Sequence, residues 1–180
     1  MDAAEHIVDC YYRFVKKCFT INDVKVLGGV NRQLDILAIN PKTKDQYHIE
    51  CSVTHDLNWA PKEEQLKDVF EYKFLGVPKK AGRRRINYKK NILETYRAYG
   101  LSPSKIQRVF ACWIPHHSVV VEDFLEKFKQ RHNIKITILN LRDDVIRKLF
   151  DSVGTAYYDD EILRLVGFLK QRESQLLKKG

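Results

Sequence analysis

The chain reads as one α/β domain with a central mixed sheet flanked by helices, and three observations say so. Asn31 to Val53 has the pattern of a β-hairpin. From Val109 to Ile138 run a strand, a helix and a second strand, spaced as a right-handed crossover that joins a parallel pair. The 180 residues hold no linker, internal repeat or low-complexity block, and they are enough for a single packed core. The domain so read spans 1–180, with its core over roughly 3–140 and further helices in 141–180.

The hairpin organises the rest. Leu34 to Ile39 is an apolar, β-branched arm. In the other arm, Tyr47, Ile49, Cys51 and Val53 share one face, and His48, Glu50 and Ser52 the other. Asn-Pro-Lys-Thr-Lys-Asp between them is turn chemistry. If Asn40 pairs with Asp45, Asp35 falls opposite Glu50. Like charges directly opposed across a ladder lie about 5 Å apart and destabilise it. Two such carboxylates among apolar neighbours call for a cation between them, and hard oxygen donors suit Mg²⁺ or a similar ion. The plainer alternative is two exposed acids on a solvated sheet face.

The remaining elements follow in order. Ala3 to Phe19 carries a helical stripe of Ile7, Cys10, Tyr11, Phe14, Val15 and Cys18, with Asp2 as N-cap and Glu5 in the first turn. Val24 to Leu27 is a short strand before Gly28-Gly29. Lys62 to Leu75 is a helix opened by Pro61 and stopped by Gly76, with Leu66, Val69, Phe70 and Phe74 inward. Asn91 to Tyr99 is another, stopped by Gly100. Val109 to Ile114 is a strand, Glu122 to Arg131 a helix, and Ile134, Ile136 and Ile138 mark a strand. Helices over Asp144 to Val153 and Asp159 to Leu177 complete the chain.

Composition narrows the function. The net charge is +9, from 32 basic and 23 acidic residues, which favours a polyanionic partner, nucleic acid first. No apolar run approaches the ~18 residues of a membrane span, and the acidic start lacks a signal-peptide pattern. An intracellular, cytoplasmic protein is expected. Cys10, Cys18, Cys51 and Cys112 are widely spaced in apolar settings and read as reduced core residues. Seven cations, Lys79, Lys80, Arg83, Arg84, Arg85, Lys89 and Lys90, form a basic segment suited to phosphate contacts; a solvated charge run or a targeting signal is the alternative. His48, on the Glu50 face, could position a water or touch phosphate, as could His55.

This order of residues and elements resembles the PD-(D/E)XK nuclease superfamily, the restriction-endonuclease-like fold, and within it the archaeal Holliday-junction resolvases and Mrr-like endonucleases. The likeness runs over most of residues 3–140 and rests on Glu5, Gly28-Gly29, Asp35 and Glu50-Cys51-Ser52. It implies that Asp35 and Glu50 bind Mg²⁺ or Mn²⁺, that the Cys51 carbonyl is a further ligand, and that Glu5 assists from the first helix. It implies metal-dependent hydrolysis of DNA phosphodiesters, of structured or branched DNA in particular. It implies DNA as partner and no membrane, and it allows a homodimer. Ser52 departs from the pattern, which places a catalytic lysine there. A lysine from a neighbouring element could replace it: Lys25, Lys67 or Lys73, of which Lys67 is the expected one. The alternative function is a DNA-binding module of the same fold that has lost the chemistry; a third reading is a protein-interaction subunit.

Overall fold

A computed structural model describes residues 2–29, 31–53, 60–77, 87–154 and 156–177. Its elements are α1 (Ala3–Cys10), β1 (Phe19–Lys25), β2 (Gln33–Ile39), β3 (Gln46–Ser52), α2 (Glu63–Leu75), α3 (Lys89–Ala98), β4 (Gln107–Cys112), α4 (Val121–His132), β5 (Ile136–Asn140), α5 (Arg147–Ser152) and α6 (Glu161–Leu177). The strands form one mixed sheet in the order β1-β2-β3-β4-β5. The first three are antiparallel neighbours, and β3, β4 and β5 run parallel. The parallel pair around α4 is the expected crossover.

Alternation along the strands divides the core. Ile36, Ala38, Ile49, Cys51, Val109 and Ala111 face Val8 and Cys10 of the first helix, Tyr11 and Tyr12 just after it, and Leu149 and Leu163 of the last two helices. On the other face, Phe110, Cys112 and Ile136 meet Leu66, Phe70 and Phe74 of α2 and Phe124 and Phe128 of α4. Val24, Leu34 and Leu37 meet Ile92 and Tyr96 of α3 on that side. Phe70 is the hub: its ring lies 5.3 Å from both Phe110 and Phe128 and 5.9 Å from Phe74. Burying such side chains contributes roughly 1.5–3 kcal/mol each.

The N-terminal helix is shorter than its apolar stripe suggests. Asp2 caps it in a reciprocal box with Glu5, as expected. After Cys10, however, the chain widens into a π-helical turn over Tyr11–Val15, and Lys17 adopts a left-handed conformation with φ 56°. That reversal ends the helix and frees Phe19–Lys25 to form a full edge strand, where only Val24 to Leu27 was expected. Cys18 accordingly lies outside the helix. A second π-helical turn, Leu141–Ile146, leads into α5. No helix among the described residues is long and apolar enough to cross a membrane.

The end of α2 is tied to the start of α3. Gly76 has φ 67°, and a Cβ on it would lie 2.6 Å from the backbone of Tyr88 and Lys89. The Tyr88 amide donates to the Gly76 carbonyl at 3.0 Å. Only glycine combines that left-handed angle with so close an approach. The junction fixes where the last turn of α2 stands over the sheet.

Candidate functional site

The hairpin register is the one the turn dictates. Asn40 donates to the Asp45 carbonyl at 2.9 Å, and Ile39 pairs with Gln46, Leu37 with His48 and Ile36 with Ile49. The next rung would join Asp35 to Glu50, but the backbone ladder stops before it. The Asp35 side chain takes over: its Oδ2 accepts the Cys51 amide at 2.8 Å. The ladder is also interrupted on the other side of Asp35. Asn22 pairs with Ile36 and Val24 with Leu34, while Asp23 between them sits at φ 53° and makes no rung. Asp35 thus occupies an opening in the sheet, bounded by a kink in β1 and a parting of β3.

A cation does stand between Asp35 and Glu50, and it is a side chain. The Lys73 ammonium lies 3.1 Å from both carboxylate oxygens of Asp35 and 2.5 Å from Glu50 Oε2. Lys73 sits three residues after Phe70 and seven after Leu66, so α2 carries it on the same stripe as its buried residues. Its last turn is held down by Arg32, whose guanidinium donates to the Tyr72 and Lys73 carbonyls at 2.6 and 3.0 Å and covers the Tyr72 ring at 4.0 Å. Arg32 is itself buried. The lysine that lies against the two carboxylates is Lys73 and not Lys67, the one expected. Lys67 lies about 120° around the helix from Lys73 and about one and two-thirds turns back, on the side of His132, whose pKa its charge helps to lower. Lys25 lies on exposed β1.

Glu50 is fully buried, and so are the two residues behind it. His48 Nε2 is 2.7 Å from Glu50 Oε1, and His48 Nδ1 is 2.7 Å from the Tyr96 hydroxyl. Burial, with the Arg108 charge added, drives the His48 pKa well below its usual value, so the ring is neutral. The tautomer that satisfies both contacts has its proton on Nε2, donating to Glu50, with Nδ1 accepting from Tyr96. His48 therefore orients Glu50 and cannot touch water or phosphate, contrary to the expectation for it. One oxygen of Glu50 is fixed by His48, and the other, Oε2, is bound by the Lys73 ammonium at 2.5 Å.

Burial, followed by the charge of Glu50, lifts the Asp35 pKa to about 6 despite Lys73 and the Cys51 amide. Glu50 is raised by burial, with Lys73 pulling the other way. Burial would lower Lys73, but the two carboxylates outweigh it and hold it firmly protonated. The direct contacts therefore comprise two carboxylates and one ammonium, with an excess of acid.

The other expected residues are placed as follows. Glu5, half-buried on α1, is near enough to Asp35 for the two charges to interact; burial is the larger cause of its raised pKa. Ser52 ends β3 beside Cys112 of β4, on the Glu50 face by strand alternation. The Cys51 side chain is buried on the opposite face. Lys89 opens α3, and Lys90 next to it forms an exposed pair with Glu94 at 3.6 Å. Lys79, Lys80, Arg83, Arg84, Arg85 and His55 lie outside the described residues.

A second polar grouping joins the first helix to the last. Asp160 caps α6 by accepting from the Ile162 and Leu163 amides, and it contacts His6 Nε2 at 3.1 Å, Cys10 Sγ at 3.2 Å and Arg13 Nη2 at 2.5 Å. His6, Cys10 and Asp160 have metal-ligating atoms within 4.8 Å of one another. Their cation is already supplied by Arg13, which also pairs with Asp9 at 2.9 Å. The grouping works as a latch between α1 and α6.

No family model, no curated protein and no solved structure matches this chain.

Proposed function

We propose that this chain is a metal-dependent nuclease that hydrolyses DNA phosphodiesters, organised like the PD-(D/E)XK enzymes that its sequence resembles. The observation that carries the reading is the triad of Asp35, Glu50 and Lys73 at the opening in the sheet. A chain has little structural reason to bury two carboxylates against one ammonium, since burial of unbalanced charge destabilises folding. The donor set fits Mg²⁺ or Mn²⁺: the oxygens are hard, the two carboxylates outnumber the one ammonium they share, and both turn oxygens to the same opening. Asp35 and Glu50 would hold the ion, with the Cys51 carbonyl as the further ligand that the resemblance implies. The ion supplies neutralisation of the phosphate and a more acidic water. His48 and Tyr96 keep Glu50 in one rotamer, with Oε2 turned to the opening. Lys73 delivers to the site the positive charge that Ser52 cannot carry. An ammonium on a four-carbon stem is a mobile point charge, so its backbone position is free to vary. The +9 net charge suits a polyanionic substrate.

A second reading, a DNA-binding module without chemistry, draws support from Ser52 and from the neutralisation that Lys73 already provides. One experiment separates the two. Supercoiled, branched and single-stranded DNA are incubated with Mg²⁺ or Mn²⁺ and the wild type, Asp35→Asn, Glu50→Gln, Lys73→Met or Lys67→Met. The nuclease reading expects cleavage by the wild type and Lys67→Met alone. Binding without cleavage by any form, unaffected by Asp35→Asn, would establish the module.

A further inference from the structure

A cavity of about 600 Å³ opens where β4 and β5 begin, away from the carboxylate site. Arg108, Lys89 and Lys135 bring three positive charges to its lining, Ile106 and Ile134 give it apolar walls, and His132 completes one side. Among the described residues that line it, none is acidic. Two carboxylates outside the lining contact residues that belong to it: Asp45 accepts from Gln107 Nε2 at 3.1 Å, and Glu71 faces His132 at 3.6 Å. Arg108 carries the argument. It comes from β4 on the same face as Phe110, its guanidinium lies 5.9 Å from the Tyr96 ring centre and hydrogen-bonds the Tyr96 side chain, and its Nε is shut off from water without a hydrogen-bond partner among the described residues. A guanidinium donor withdrawn from solvent and left unsatisfied destabilises the fold. An anion accepting from it in the fork geometry that arginine offers would remove that cost.

We infer that this cavity binds a phosphate group carried on a nucleotide, with Arg108 as the fork, Lys89 and Lys135 as flanking charges, and the isoleucine walls against sugar or base. The volume exceeds what a bare phosphate needs and falls in the range of small-ligand sites. The chemistry is common to a free mononucleotide and to the phosphorylated end of a nucleic-acid strand. The site is separate from Asp35 and Glu50, so the inference stands whether or not those residues cut DNA.

The test uses the full chain in EDTA, so that no metal-dependent event intervenes. Inorganic phosphate, dAMP, and a short single-stranded oligonucleotide with or without a 5′-phosphate are titrated, following the Arg108 Nε–H resonance and the heat of binding. Either dAMP or the 5′-phosphorylated strand should move that resonance, and the tighter of the two identifies the source. Arg108→Gln should weaken binding tenfold or more and Lys135→Gln several-fold. Lys127→Gln, which removes one exposed charge from α4 outside the cavity, should leave it unchanged. If Arg108→Gln fails to fold because of its place against Tyr96, Lys135→Gln with the wild-type resonance decides. A response to inorganic phosphate alone, no response to either nucleotide ligand, or equal weakening by Lys127→Gln overturns the inference.

Discussion

Replacing Asp35 by asparagine should make the protein more stable at neutral pH. Asparagine keeps the shape and the oxygen that accepts the Cys51 amide, and it leaves one carboxylate facing one ammonium. The Asp35 pKa rises from an ordinary 3.8 to about 6 on folding, chiefly through burial and secondly through Glu50. Between those values the folded chain holds a proton that the unfolded chain has released. Stability therefore falls as pH rises from 3.8 to about 6, and stays at the lower level above it. At about 1.4 kcal/mol per tenfold, that window corresponds to a cost of about 3 kcal/mol at pH 7. Asparagine cannot ionise, so it escapes this cost. The attraction of Lys73 is already contained in the raised pKa, so the expected gain is about 3 kcal/mol. Urea unfolding of both proteins at pH 4, 6 and 8 measures it. The variant should gain most at pH 8 and match the wild type near pH 4. Parallel stability curves, or a variant weaker at pH 8, would refute the electrostatic account. With Mg²⁺ at a hundred times its dissociation constant, the wild type should gain about 2.7 kcal/mol and the variant much less.

Lys73→Met should cost about 3 kcal/mol at pH 8 by stranding two buried carboxylates, and less at pH 5, where Asp35 takes up a proton; Lys67→Met should stay within about 0.5 kcal/mol, and denaturant titrations at both pH values distinguish them. Tyr96→Phe removes the donor to His48 Nδ1 and should destabilise by about 1–3 kcal/mol, with His48 ring resonances reporting the changed tautomer. Gly76→Ala forces a Cβ into the α3 backbone as well as a left-handed angle; a loss of about 2 kcal/mol or more in thermal unfolding is expected, and a neutral result would mean that the α2–α3 junction is loose. Burial would raise Asp160, but its bonds from Cys10, His6 and the Leu163 amide bring it down to about 2. Its contribution, about 1 kcal/mol after solvent screening, is present above pH 4 and lost as pH falls through about 2; acid unfolding of Asp160→Asn should lack that step.

The register of the hairpin was legible because the six-residue turn left one pairing that kept Tyr47, Ile49 and Cys51 on a common face. The parting of the strands at Asp35 was not, since nothing in the residue types marks a rung that a side chain will take over. Lys73 was legible in principle. Its spacing of three from Phe70 and seven from Leu66 places it on the buried stripe, but a lysine among phenylalanines reads as a surface residue until something acidic is known to lie beneath it. His48 was expected beside Glu50 and found there. Its role depends on Tyr96 arriving from a helix 48 residues further on, which periodicity alone does not bring to that spot. The edge strand Phe19–Lys25 was hidden by an apolar stripe that continues past the helix, and only the left-handed Lys17 ends it.

The rung between Asp35 and Cys51 has a consequence of its own. Elsewhere in the sheet, strand spacing is set by carbonyls whose strength as acceptors does not vary with conditions. Here the acceptor is an ionisable oxygen, so the rung weakens when Asp35 takes a proton and must share its electrons when a cation arrives. The Cys51 amide is thus a reporter at the mouth of the site: its proton resonance should move upfield and its hydrogen exchange should quicken through the titration of Asp35 near pH 6. The joining of β2 to β3 at this point therefore depends on the charge of one side chain.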